Sequence, residues 1–164
     1  MRKIGIVMGS DSDLPILEKA MDTLRELQIP FEVHVYSAHR TPDQAISFAK
    51  SAREKGFGAL IAAAGMAAHL AGVIAANTTL PVVGIPCKGP VLDGMDALLS
   101  TVQMPSGVPV ATVGINGGVN AALLCARMLS VEDEELARRL EEKRAADEQK
   151  VLARDEAVSA RFNA

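Results

Sequence analysis

Tryptophan is missing from the 164 residues, tyrosine occurs once, at Tyr36, and aromatic residues make up only 3% of the chain. A core must therefore be assembled from Ala, Val, Ile, Leu and Met, and any site that works by stacking on aromatic rings is short of partners. Cysteine is almost as scarce. Cys87 and Cys125 lie far apart and lack metal-ligand spacing, which excludes a disulfide framework and predicts two free thiols in a reducing compartment. No strong charge imbalance exists either. A net charge of −3 argues against a nucleic-acid surface and gives no long-range pull on an anionic substrate, so any phosphate site must be built locally. One stretch has the length of a membrane span without a formal charge, Phe57 to Ala76, but it is Ala-rich and interrupted at Gly65 and His69. It reads as a strand followed by a helix, and no membrane span is expected. The chain opens directly on the strand pattern Ile4-Gly5-Ile6-Val7-Met8, so we expect no targeting segment and a cytoplasmic location.

A hydrophobic fraction of 49% and a charged fraction of 23% describe a globular chain, and its length predicts a single domain over residues 1–164. Five apolar runs read as strands: Lys3–Met8, Phe31–Tyr36, Ala59–Ala63, Val82–Ile85 and Val110–Gly114. Helical patterns fall near Pro15–Leu27, Pro42–Lys55, Ala67–Ala76, Asp93–Thr101 and Val119–Leu129. Thr41-Pro42-Asp43-Gln44 reads as a capping box opening the second of these. Alternating β and α units with near-continuous apolar strands predict a flavodoxin-like, doubly wound parallel sheet of five strands spanning about residues 3–130. The tail, residues 131–164, is dense in charge with apolar positions at Leu136, Leu140, Val151 and Leu152. It predicts an extra amphipathic, mostly solvated C-terminal helix, broken near Arg154.

Between Phe57 and Met128 the only charged residues are Lys88, Asp93, Asp96 and Arg127. Outer helices of a monomeric doubly wound sheet should each carry a charged face. Those near Ala67–Ala76 and Val119–Leu129 have almost none, which predicts burial against other copies of the chain in a homo-oligomer.

In open α/β sheets, ligands bind beyond the carboxyl ends of the strands. Polar residues gather there. After the first strand comes Gly9-Ser10-Asp11-Ser12-Asp13, after the second Ser37-Ala38-His39-Arg40-Thr41-Pro42, and after the third Gly65-Met66-Ala67-Ala68-His69. The first segment alone could be a turn and helix cap. Arg40 beside a helix N-terminus suits phosphate, and His39 at a strand end suits proton transfer. His69 is balanced between a helix-start residue and a second functional group, while His34 lies within a strand, with the alternation of a packed or sheet-surface residue, and is set aside.

These segments, together with Ala67-Ala68-His69-Leu70, Leu98-Leu99-Ser100-Thr101-Val102-Gln103-Met104-Pro105 and Asn120-Ala121-Ala122-Leu123-Leu124, resemble in order the signature segments of the class I N5-carboxyaminoimidazole ribonucleotide mutases. The resemblance spans residues 3–130. It departs at Met66, where the family usually carries Gly, at Ala71, where it carries Pro, and over Asn116–Val119. It implies a homo-octamer and a reaction moving a carboxylate from the exocyclic nitrogen of an aminoimidazole ribonucleotide to ring carbon 4. It further implies that His39 is the catalytic proton carrier, that Arg40 and Ser37 hold the ribose phosphate, Asp13 the ribose hydroxyls and Ser10 the base or its carboxylate. Gly65, Ala67, Ala68 and His69 would complete the substrate site, whose small side chains suit a closed pocket that retains carbon dioxide.

No ATP loop, biotin lysine or metal triad is visible, so neither metal nor cofactor is expected, and the partners are the small substrate and the chain itself. A class II aminoimidazole ribonucleotide carboxylase is the nearest rival; it typically has Lys where Arg40 stands and lacks the Ala-Ala-His-Leu segment. A flavin carrier lacks ring partners here, and a phosphoacceptor domain would need Asp where Ala63-Ala64-Gly65 stands. A purely structural assembly would leave the polar loops unexplained.

Overall fold

Alternation along the strands decides which side chains face which layer. In β1 (Lys3–Met8), Ile4, Ile6 and Met8 point to one side of the sheet and Val7 to the other. In β3 (Phe57–Gly65), Ala59, Ile61 and Ala63 alternate with Leu60 and Ala62 in the same way. A computed structural model describes residues 1–163, and Ala164, the last residue of the predicted tail, lies outside them. With β2 (Phe31–Val35), β4 (Val82–Cys87) and β5 (Ala111–Thr112), these strands form one all-parallel sheet in the order β2-β1-β3-β4-β5. That is the flavodoxin-like order.

Both faces of the sheet are covered. On one side α1 (Leu14–Glu26) and α5 (Gly118–Ser130) bury Leu17, Leu24, Ala122 and Cys125, and α6 (Glu134–Phe162) adds Leu136. On the other, α2 (Pro42–Ser51) and α3 (Leu70–Ala75) bury Phe48, Leu70 and Ile74, while α4 (Met95–Val102) packs beside α3 and over β4. Each fully buried Leu, Ile or Phe contributes about 1.5–3 kcal/mol.

Several boundaries differ from expectation. The third helix starts at Leu70 rather than Ala67, because Met66 and His69 adopt left-handed backbone angles (φ 55° and 59°) that no helix accommodates. β3 is longer than predicted because it is central and paired on both sides, whereas β5 shrinks to two residues at the sheet edge. The second helix stops at Ser51, with Gly56 (φ 80°) making the turn into β3. Thr41 does not cap α2: its hydroxyl accepts from the Ser37 N–H at 2.8 Å and donates to the Ser37 carbonyl at 3.3 Å. The tail helix is unbroken at Arg154. It contains neither Gly nor Pro, Asp133 caps it by accepting from the Leu136 N–H at 3.0 Å, and pairs such as Arg138–Glu135 and Lys150–Asp147 run along its surface.

Half of the large exposed apolar side chains among the described residues sit on α4 (Met95, Leu99 and Val102, one face at helical spacing) and on the tail, and α3 carries none. Within the chain, the surface of α3 is largely covered by α2, α4 and the sheet. α5 exposes Val119 and leaves Leu123 and Leu124 half-buried. No described helix is long and apolar enough to cross a membrane.

Candidate active site

Four loops at the carboxyl ends of β1, β2, β3 and β4 enclose a cavity of about 500 Å³. The strand order explains why: the chain winds outward in both directions from the β1/β3 pair, and the loops part there to leave a crevice.

The first loop folds into a single 3₁₀ turn, Asp11–Asp13, leading into α1. Ser10 caps it, accepting from the Ser12 N–H at 3.3 Å and from the Ser12 hydroxyl at 2.9 Å. Asp13 is 8% exposed at the start of α1. Burial raises its carboxyl above the usual range, an effect partly offset by the neighbouring Cys87 thiol and the Ser10 backbone. Desolvation and the Asp13 charge in turn push the Cys87 thiol up, and burial pushes Cys125 up to about 12, so both are protonated, unreactive sulfurs at neutral pH.

The second loop is organised by Ser37. Its hydroxyl oxygen accepts from the backbone N–H groups of His39 (3.3 Å) and Arg40 (3.1 Å), fixing the backbone from which both side chains project at the rim. Arg40 reaches back to donate from Nη2 to the Gly9 carbonyl at 2.9 Å, tying this loop to the first. The His39 ring is exposed and makes no hydrogen bond with a described residue, which leaves both nitrogens available to a ligand.

In the third loop, Gly65, Met66 and Ala68 line the cavity, whereas Ala67 and His69 do not. His69 Nδ1 lies 2.7 Å from the Ser100 carbonyl, which only accepts, so Nδ1 carries the proton and the ring ties this loop to α4. The ring rests on the first turn of α3, where only Gly72 leaves it room. His34 is half-buried on the sheet surface, away from this cavity, stacked on Tyr36 at 4.7 Å and bonded to Glu32 at 2.8 Å.

Of the predicted site residues the structure thus brings together Ser10, Asp13, Ser37, His39, Arg40, Gly65 and Ala68 around one cavity, and turns His69 away as a brace. The fourth loop, with Lys88, Gly89 and Pro90, went unassigned from sequence although it also lines the cavity. The signal was present: Lys88 is one of four charged residues in an otherwise uncharged stretch and follows a strand end.

The arrangement offers an imidazole for proton transfer, a guanidinium and serine turn for an oxyanion, a buried carboxylate for hydroxyl groups, and a wall of small residues. The AIR carboxylase family profile matches residues 3–150. An N5-carboxyaminoimidazole ribonucleotide mutase of Bacillus subtilis is 55% identical over 91% of this chain and 93% of its own length. One from Thermotoga maritima is 49% identical over 93% of this chain and 89% of its own. A Saccharomyces cerevisiae phosphoribosylaminoimidazole carboxylase is 50% identical over 91% of this chain but only 26% of its own length. Among solved structures, Treponema denticola PurE superposes with a TM-score of 0.83 at 29% identity, covering 94% of this chain and 96% of that one.

Proposed function

Because the chain belongs to the AIR carboxylase family, we propose a reaction for it and a role for each residue at its site. The chain converts N5-carboxyaminoimidazole ribonucleotide to 4-carboxy-5-aminoimidazole ribonucleotide, a step of purine biosynthesis.

In this reading His39 enters protonated. It donates to the carbamate nitrogen as the nitrogen–carboxyl bond breaks, releasing carbon dioxide and the aminoimidazole. Ring carbon 4 then attacks the retained carbon dioxide, forming the new carbon–carbon bond, and the neutral imidazole takes the carbon 4 proton. His39 ends as it began, and the rearrangement balances without oxidant, reductant or energy source. An imidazole suits both halves because it gains and loses a proton near neutral pH. Arg40 and the Ser37 turn hold the phosphate as a bidentate and hydroxyl pair. Asp13 accepts from ribose hydroxyls, and Ser10 faces the base or its carboxylate. The small side chains at Ala64, Gly65 and Ala68 let the base and its carboxylate lie close against the wall, and the seated nucleotide then limits escape of carbon dioxide and entry of water. Ala67 contributes at most its backbone, and His69 acts by holding the third loop.

The observation that carries the assignment is the unencumbered His39 ring, held by a serine-fixed turn over a cavity edged with small residues. His39→Asn is expected to fold and bind the nucleotide while losing at least about 100-fold in kcat; near wild-type turnover contradicts the role. The exposed face of α4 supports self-association, which the octamer reading extends, and the reaction fits a cytoplasmic enzyme.

A further inference from the structure

A nucleotide carrying both a phosphate and a carboxylate brings up to about three negative charges into the cavity. The chain as a whole, at −3, does nothing to attract it, and Asp13 adds a charge of the same sign. Among the described residues, Arg40 and Lys88 are the permanently charged cations lining the cavity, with His39 beside them adding a charge only while it holds its proton. Arg40 already spends part of its fork on the Gly9 carbonyl.

Lys88 is the first residue after β4 and is placed with care. Its backbone N–H donates to Asn116 Oδ1 at 2.8 Å, which anchors the base of the fourth loop to the loop before α5. Its ammonium lies 3.0 Å from Asp93, a residue held in the left-handed region (φ 56°) at the other end of the same loop. Both ends of that pair are largely exposed, at 57% and 82%, so the bond is weak and readily exchanged for another anion. The strand order sets the geometry. β1 and β3 lie between the ends of β2 and β4, so Arg40 and Lys88 project from loops about 14 Å apart, on opposite sides of the crevice. A nucleotide seated between them meets a cation at each end.

We propose that Lys88 is a substrate-binding residue whose ammonium leaves Asp93 to pair with an oxyanion of the bound nucleotide, carboxylate or phosphate. This rests on the mutase reading above and extends it to the fourth loop. The pairing supplies affinity rather than chemistry, since no proton need pass through it.

Steady-state kinetics of Lys88→Met, Lys88→Arg and Asp93→Asn test the proposal, with a potassium chloride series for each. Lys88→Met should raise KM about tenfold, the ordinary worth of one charge-assisted bond, with kcat within about twofold of wild type. Lys88→Arg should restore most of the affinity. Asp93→Asn removes the competitor for the ammonium and should leave KM at or below wild type. The gap between wild type and Lys88→Met should narrow as salt rises.

An unchanged KM in Lys88→Met overturns the proposal. So does an equal rise in Lys88→Met and Asp93→Asn, which would mean that the pair only braces the loop. Calorimetric titration with aminoimidazole ribonucleotide, which lacks the carboxylate, and with 4-carboxy-5-aminoimidazole ribonucleotide separates the two oxyanions. Weakening of both by Lys88→Met assigns the phosphate, and weakening of the second alone assigns the carboxylate. Weakening of neither overturns the proposal. Because titration does not depend on turnover, a failure of the mutase reading shows itself separately, as silence of the wild type in the kinetic assay.

Discussion

At the scale of single residues, Asp13 sets its proposed ribose contact against stability. Its carboxyl is buried at the head of α1, and desolvation holds it above the usual carboxylate range. An acid whose folded value is raised takes up a proton more readily in the folded chain than in the unfolded one. Its burial is therefore a penalty at neutral pH that is relieved as pH falls through the folded value toward the unfolded one. Asp13→Asn is expected to raise Tm at pH 7 by about 2–4 °C, with the gain fading toward pH 4, while nucleotide affinity falls. Thermal melts across that range check the sign; a lower Tm at pH 7 contradicts it. The residues of the second loop were readable from sequence because Ser37, His39 and Arg40 are neighbours and their geometry is local. Lys88 was not, because its place beside the cavity depends on a strand order set by long-range pairing.

At the scale of elements, the third loop carries the clearest discrepancy between pattern and structure. Ala67, Ala68 and His69 have helix-compatible side chains, yet the helix waits until Leu70. Left-handed angles at Met66 and His69 turn the chain under the cavity, and Met66 occupies a position where Gly would avoid the steric cost. The turn holds because His69 bonds to Ser100 and lies on Gly72. Gly72→Ala would place a methyl group in the ring. A loss of about 1–3 kcal/mol is expected, along with lower kcat as the third loop shifts. Urea denaturation and turnover measured side by side test this; unchanged values in both would show that the ring is not a brace. The tail teaches the opposite lesson: local composition suggested a break, but an uninterrupted run of helix formers with one firm cap makes a single helix.

At the scale of the whole molecule, the lack of charge in the middle of the chain has two physical origins, and α3 and α4 show one each. Residue patterning cannot distinguish a helix covered by its own chain from one left for a partner, since both lack charge. The structure separates them: α3 is covered, while Met95, Leu99 and Val102 on α4 face outward. If that face joins copies of the chain, Leu99→Lys is expected to convert the assembly to smaller species, read as a drop in mass by light scattering after size exclusion. A wild-type protein that already runs as a monomer would remove the basis for association.

The central claim is that this cavity moves a carboxylate within one nucleotide through a proton carried by His39. Turnover of the purified protein with N5-carboxyaminoimidazole ribonucleotide, in parallel with aminoimidazole ribonucleotide plus bicarbonate and with His39→Asn beside it, tests that directly. The account predicts conversion of the first substrate at low carbon dioxide and its loss in the variant. Activity with the second substrate alone, or a variant as active as wild type, would contradict it.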